Sequence, residues 1–306
     1  MKVALLGFGT VGSGCMEVLK NTSAEVAYVL DKRDIPEISG ILTKDINVIL
    51  NDPSLDIVAE LMGGEHPAYD YVKAAILAGK SVVTANKQML SHHYKELTDL
   101  AEEKGVFLEY SATSGGGIPW LYSLKRVCAT DRILEIGGVM NGTTNYILDA
   151  MQTKGQSYDD ALKKAQELGY AEADPTADVM GYDVRAKLAI SCNIAFGGEM
   201  IPESIPTTGI TGITMQDVEN AQKEDKAIRL VACAKSINGK IETSIKPTLV
   251  GKDSPLYNLS GSENLFYLIG EKTGRLCFRG AGAGKGPTGR NVADDILEIG
   301  RQLCLK

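Results

Sequence analysis

The chain has 306 residues, 44% hydrophobic and 23% charged, with 33 glycines, the profile of an ordinary folded protein long enough for two domains. A net charge of −7 offers no general attraction to nucleic-acid phosphates or anionic lipid, and no apolar run nears the roughly 20 residues that span a bilayer. The expected partner is a small molecule, not nucleic acid or membrane, and six scattered cysteines without a CxxC pair fit reduced thiols in the cytoplasm.

The opening MKVALLG lacks the features of a signal peptide and reads as a strand. Four more follow: EVAYVLD (25–31), DIVAELMG (56–63), KSVVTA (80–85) and VFLEYSA (106–112). Between them lie helix-period stretches such as HPAYDYVKAAILAG and SHHYKELTDLAEEKG; His92 and His93 are expected at a solvated helix start, not as metal ligands. This alternation predicts a parallel sheet covered on both faces, with ligands outside the carboxyl ends of its strands.

The turn after the first strand is GFGTVG: Gly7, Phe8, Gly9, Thr10, Val11 and Gly12. Its glycines fall where a dinucleotide fold needs a tight turn, a close approach to pyrophosphate, and helix–strand packing. Asp31 ends the second strand, where an acid bonds a ribose 2′-hydroxyl and favours NAD; Lys32 and Arg33 follow at once and suit the 2′-phosphate of NADP. Asn86 and Lys87, in VVTANKQML, close the fourth strand, where a cofactor's reactive end and a substrate would meet, although a lysine there also suits plain solvent.

The pattern changes after Arg132. RILEIGGVM reads as a strand and NGTTNYILDAM as the start of a helix, with further helices at 157–168 and 175–196. IRLVACAKSI and KIETSIKPTLV flank Asn238-Gly239, a hairpin signal, and NLFYLIG and RLCFRG form another pair around EKTG. GAGAGKGPTG leads into a last helix. In AEADPTADVMGYDVRAK, Asp174 reads as an N-cap and Pro175 as the first helical residue. At 100° per residue, Asp183 and Lys187 then share an apolar stripe with Val179, Ile190 and Ile194, while Asp178 and Arg185 face away. An ion pair within an apolar stripe costs several kcal/mol per ion unless each charge has a partner or a task, on the order given for buried pairs. A lysine placed so is a candidate proton donor or acceptor.

AQELGYAEADPTADVMGYDVRAK (165–187), with GFGTVG, VVTANK, GGGIPW, GVMNGTTNYIL and GAGAGKGPTG in order, closely resembles the homoserine dehydrogenase family over essentially the whole chain. The resemblance implies an α/β chain: a Rossmann-like nucleotide-binding domain (1–127), an α+β substrate and dimerisation domain (128–280), and a C-terminal helix (281–306) returning to the first. It implies reversible NAD(P)-dependent reduction of L-aspartate 4-semialdehyde to L-homoserine, on the route to threonine, methionine and isoleucine, by a homodimer. Lys187 matches the family's proton donor and Lys87 its other active-site lysine. Glu172 and Asp183 match its substrate-binding acids, and Gly169 and Gly284 its cofactor contacts.

The resemblance also implies a monovalent-cation site, usually for sodium, at Ser111, Ser114, Gly116 and Ile118. Family members commonly carry a glutamate and a valine where this chain has the two serines, and a hydroxyl lacks a carboxylate's charge. A chain ending at Lys306 leaves no room for the ACT domain of longer relatives, so no threonine inhibition through one is expected. Three competing readings remain. An oxidoreductase for another small aldehyde or hydroxy acid shares the chemistry. Aspartate semialdehyde dehydrogenase would need a thiolate, yet Cys128 and Cys192 lie in helix-like runs without a nearby histidine. A sensor without catalysis would lack one of the lysines.

Overall fold

The structure is a computed structural model that describes residues 1–305. The chain divides into two compact units, Met1–Pro119 with the chain from Ala283 onward, and Trp120–Gly282. The first unit runs β1 (Lys2–Leu6), α1 (Thr10–Leu19), β2 (Glu25–Leu30), β3 (Leu42–Thr43), α2 (Ile46–Leu50), β4 (Ile57–Glu60), α3 (Ala68–Leu77), β5 (Ser81–Thr84), α4 (Lys87–Lys104) and β6 (Leu108–Glu109). The second runs α5 (Trp120–Cys128), β7 (Ile133–Val139), α6 (Gly142–Lys154), α7 (Tyr158–Glu167), α8 (Thr176–Val179), α9 (Tyr182–Phe196), α10 (Met215–Lys223), β8 (Lys226–Ile237), β9 (Lys240–Gly251), β10 (Glu263–Gly270) and β11 (Gly274–Ala281). The last helix, α11 (Lys285–Leu303), belongs to the first unit.

In the first unit six parallel strands lie in the order β3-β2-β1-β4-β5-β6, a doubly wound α/β sheet that reverses direction between β1 and β4. All five expected strands are present. β3 went unread because it has two residues and pairs only with Val29 and Leu30. β4 and β5 are buried at every position, as central parallel strands covered on both faces must be. Val3, Leu5, Ile57 and Ala59 share one core with Cys15 and Leu19 of α1 and with Val292, Ile296 and Ile299 of α11. The two helices touch backbone to backbone: a Cβ on Gly289 would lie 2.5 Å from the Gly14 carbonyl carbon. α4 begins at Lys87, earlier than the SHHYKEL reading placed it, because the Asn86 side chain accepts the Met89 amide and caps it. His93 therefore sits inside the helix, bonded to Glu65 (2.8 Å) and stacked on Tyr69.

The second unit has an antiparallel sheet in the order β11-β10-β7-β8-β9. β8 and β9 join through Asn238 and Gly239, both at positive φ (51° and 78°), as the hairpin signal required. Trp120 is fully buried, stacks on Phe266 at 5.3 Å, and donates its indole N–H to Ser191 Oγ at 2.9 Å. This binds α5 to β10 and α9, giving an α+β layer arrangement.

The single helix expected over 175–196 is corrected here to two, α8 and α9. Gly181 between them has φ +81°, a left-handed conformation that a helix cannot pass through, and a Cβ on it would lie 2.9 Å from Thr207 Cγ2. α8 starts one residue later than read, at Thr176 with Pro175 at the N-cap position, and Asp174 accepts the Thr176 amide (3.0 Å). Since α1 and α11 meet without room for a side chain, Gly289→Val should cost about 1–3 kcal/mol and lower the melting temperature by roughly 3–10 °C. Scanning calorimetry checks this, and an unchanged melting temperature would contradict the close packing.

Candidate active site

In the first unit the glycine turn joins β1 to α1 at the sheet's reversal. Gly7 has φ +99°, and a Cβ there would lie 2.9 Å from Leu61 O; one on Gly12 would lie 2.3 Å from Gly7 O. A Cβ on Gly9, by contrast, would meet nothing within 4 Å. The turn is therefore closed against the protein at its first and third glycines and open at its second, where a pyrophosphate must approach. Thr10, Val11 and Gly12 form the first turn of α1, whose amides face an anion there.

Asp31, just past β2, accepts the Phe8 amide (2.9 Å) and three donors of Arg33: its amide (3.0 Å), Nε (2.9 Å) and Nη2 (2.8 Å). Arg33 Nη2 also donates to Phe8 O at 2.7 Å. The hydrogen bonds from Arg33, with that from Phe8, hold the Asp31 carboxyl well below the usual carboxylate range. Lys87 is the first residue of α4, after a well-anchored cap. Asn86 donates its side-chain amide to Gly64 O (2.6 Å) and its main-chain N–H to Thr84 Oγ1 (3.0 Å).

Beneath this cap lies Glu60, a residue that sequence reasoning missed. It is fully buried at the end of β4, accepting from Thr84 Oγ1 (2.5 Å) and the Met62 amide (2.8 Å). Burial pushes its carboxyl up to about 7. The available signal was an acid ending a central strand that is otherwise apolar.

Gly284 precedes α11 with φ +123°, and Gly169, in the second unit, follows α7 with φ +76°. Ser111 and Ser114 are buried, and neither hydroxyl has a hydrogen-bond partner. The Gly116 carbonyl accepts Asn291 Nδ2 at 2.7 Å, and the Ser111 amide donates to Asp295 at 2.8 Å. This set fits a sodium ion poorly. One of its carbonyls already faces a nitrogen donor, and residues 111–118 contribute no carboxylate.

In the second unit Asp183 lies in the first turn of α9 and Lys187 one turn later, both side chains 9% exposed, with Nζ and Oδ2 2.6 Å apart. Lys187 also donates to Met140 O at 2.8 Å. Asn141, the N-cap of α6, accepts the Thr144 amide through Oδ1 and uses its two N–H groups on two acids, Asp178 Oδ1 (2.6 Å) and Asp183 Oδ2 (2.9 Å). Thr143 Oγ1 donates to Tyr170 O at 2.5 Å and lies 3.2 Å from Asp178 Oδ2.

The expectation that Asp178 faces away from Asp183 is thus corrected: the break at Gly181 cancels the 100° step and turns Asp178 into the cluster. Burial, followed by the neighbouring Asp183 charge, raises the Asp178 carboxyl. Glu172 remains exposed, its carbonyl accepting from Gln166 Nε2 at 3.1 Å. Two acids and one lysine give this cluster a deficit of positive charge, which a ligand ammonium can supply.

The family model for the homoserine dehydrogenase NAD-binding domain matches residues 7–111, and that for homoserine dehydrogenase matches residues 119–297. The chain belongs to the homoserine dehydrogenase family. A homoserine dehydrogenase of Synechocystis sp. is 39% identical over 98% of this chain and 73% of its own. A solved homoserine dehydrogenase from Thiobacillus denitrificans has a TM-score of 0.94 at 36% identity, covering 100% of this chain and 74% of that one. A hyperthermophilic archaeal homoserine dehydrogenase mutant, solved in complex with NADPH, has a TM-score of 0.84 at 25% identity, covering 98% of each.

Homoserine dehydrogenases are NAD(P)-dependent oxidoreductases, and the nicotinamide cofactor accounts for the glycine turn. Burial raises the thiols of both Cys128 and Cys192, that of Cys192 to about 12, the opposite of what a thiolate nucleophile needs. No helix among the described residues is long and apolar enough to cross a membrane.

Glu60 makes stability depend on pH. Its native carboxyl holds a proton up to about 7, against 4.5 ordinarily, so native protein binds more protons than unfolded chain in that window and stability falls as pH rises through it. Glu60→Gln removes this penalty. Relative to wild type it should gain up to roughly 3 kcal/mol on going from pH 5 to pH 8. Parallel urea melts at the two pH values check this, and an equal difference at both would show that Glu60 is not the titrating group.

Proposed function

We propose that, in the reversible reduction of L-aspartate 4-semialdehyde to L-homoserine that defines this family, Lys187 gives and takes the proton. The observation that carries this reading is the buried Asp183–Lys187 pair at 2.6 Å, fixed by Asn141 and by Met140 O. Hydride reaching the aldehyde carbon leaves negative charge growing on oxygen. A lysine held by Asp183 stabilises that charge and protonates it, and in the reverse direction it accepts the proton. Such acid–base help is typically worth about 10² to 10⁴ in rate. When bound, the reduced nicotinamide supplies the hydride.

Lys87, which starts α4 after the Asn86 cap, is assigned as the second lysine of this mechanism, acting on the nicotinamide side. Asp183 and Glu172 receive the substrate ammonium, and Asp178, through Asn141, adds to the negative charge that draws it. Amides of Gly142 and Thr143, at the start of α6, suit the substrate carboxylate. Gly169 and Gly284 complete the cofactor contacts, and a homodimer forms through the second unit, where Ile237 and Leu249 of β8 and β9 are exposed.

NADPH is the preferred cofactor on this reading. A carboxylate offers about four acceptor positions. Asp31 already receives four donors from Phe8 and Arg33, which leaves little for a ribose hydroxyl. The Arg33 side chain is 61% exposed and suits a 2′-phosphate.

Lys187→Ala should cut turnover by about 10² or more. NADPH should still bind normally by fluorescence titration, and near-wild-type turnover with aspartate semialdehyde would assign the proton to another group. Arg33→Ala should raise KM for NADPH by roughly tenfold, equivalent to one charge-assisted contact, while KM for NADH changes little. Initial rates with the two cofactors side by side decide this, and an equal change in both would remove Arg33 from the 2′-phosphate site.

A further inference from the structure

Three side chains of α11 on successive turns meet the connector after β6. Pro287, Asn291 and Asp295 are spaced four apart and so share one helix face. A Cβ on Gly117 would lie 2.7 Å from Pro287 Cβ, Asn291 Nδ2 donates to Gly116 O at 2.7 Å, and Asp295 accepts the Ser111 amide at 2.8 Å. Asn291 is 4% exposed and Asp295 5% exposed. α11 is itself fixed on α1 at the Gly14–Gly289 contact, so the connector is tied through two helices to the glycine turn.

We infer that Asn291 is a positioning residue that stands in for the cation implied by the family resemblance, so that this chain holds its 111–118 connector without one. A cation and an amide N–H do the same work at a carbonyl oxygen, each presenting positive charge to a lone pair. At Gly116 the amide is in place, and a cation at the same oxygen would lie beside the positive end of the N–H dipole. The Ser111 and Ser114 hydroxyls add no charge to balance a buried ion, and two unpaired hydroxyls suit an ordered water equally well. Asp295 reaches the segment through Oδ2, which accepts the Ser111 amide and so holds the connector's main chain.

The test is calorimetric melting of the cofactor-free, full-length protein in sodium, potassium and tetramethylammonium chlorides at equal ionic strength. The wild type should melt within about 1 °C in all three, since an ion that binds the native state would raise the melting temperature by mass action. Asn291→Asp keeps the side chain's size, removes the donor and adds a carboxylate. It should acquire a saturable rise of about 3 °C or more in sodium.

A saturable rise of that size in the wild type overturns the inference, and so does an Asn291→Asp protein that melts like wild type in all three salts. If that variant does not fold, Asn291→Ala is melted in the same salts. Its opened carbonyl should respond to sodium, and wild-type melting in every salt again overturns the inference. None of these readouts depends on turnover, so they stand apart from the assignment of Lys187.

Discussion

The second unit is organised around one constraint: the side chains of Asp183 and Lys187 are buried together beside a half-buried second acid, Asp178, and all three must be satisfied there. A buried ion pair returns its desolvation cost only if geometry is good and the remaining oxygens find donors. Asp183 and Lys187 meet the first condition through their one-turn spacing on α9. Asn141 meets the second, since one side chain caps α6 and gives an N–H to each of Asp178 and Asp183. The starts of α6 and α9 and the end of α8 are thereby locked together. Shifting any of them would leave a charge unpaired, which typically costs about 3–5 kcal/mol.

The first unit uses the same economy of polar groups at the carboxyl edge of its sheet. Glu60 is tied to Thr84, and Thr84 to the Asn86 amide, so the end of β4 anchors the cap from which Lys87 starts α4. Asp31 grips Phe8 and Arg33, holding the glycine turn against the end of β2. In both places an acidic side chain holds main chain in position: Glu60 at the Met62 amide and Asp31 at those of Phe8 and Arg33. Removing such a group disturbs the backbone it holds, which is why conservative replacements are more informative there than alanine alone.

Much of this was legible in the residues. The glycine turn, the five parallel strands, the Asn238-Gly239 hairpin and the Asp183–Lys187 pair follow from local rules: period, turn chemistry, and the 100° step along one helix. Those rules stop where the backbone changes hand. Gly181 turns Asp178 from an outward acid into a partner of Asn141, and no periodicity argument can carry a face across a left-handed residue.

The sequence by itself determined the family, the doubly wound nucleotide-binding unit and which acid and lysine would pair, because each is written in spacings of a few residues. The tertiary structure alone decided that Glu60 is dry enough to hold a proton near neutrality, that Asp31 is filled by Arg33, and that Asn291 meets Gly116 from 175 residues away. Burial and long-range pairing depend on how separated segments pack. The physical content of these side chains is therefore set by neighbours that no local window contains.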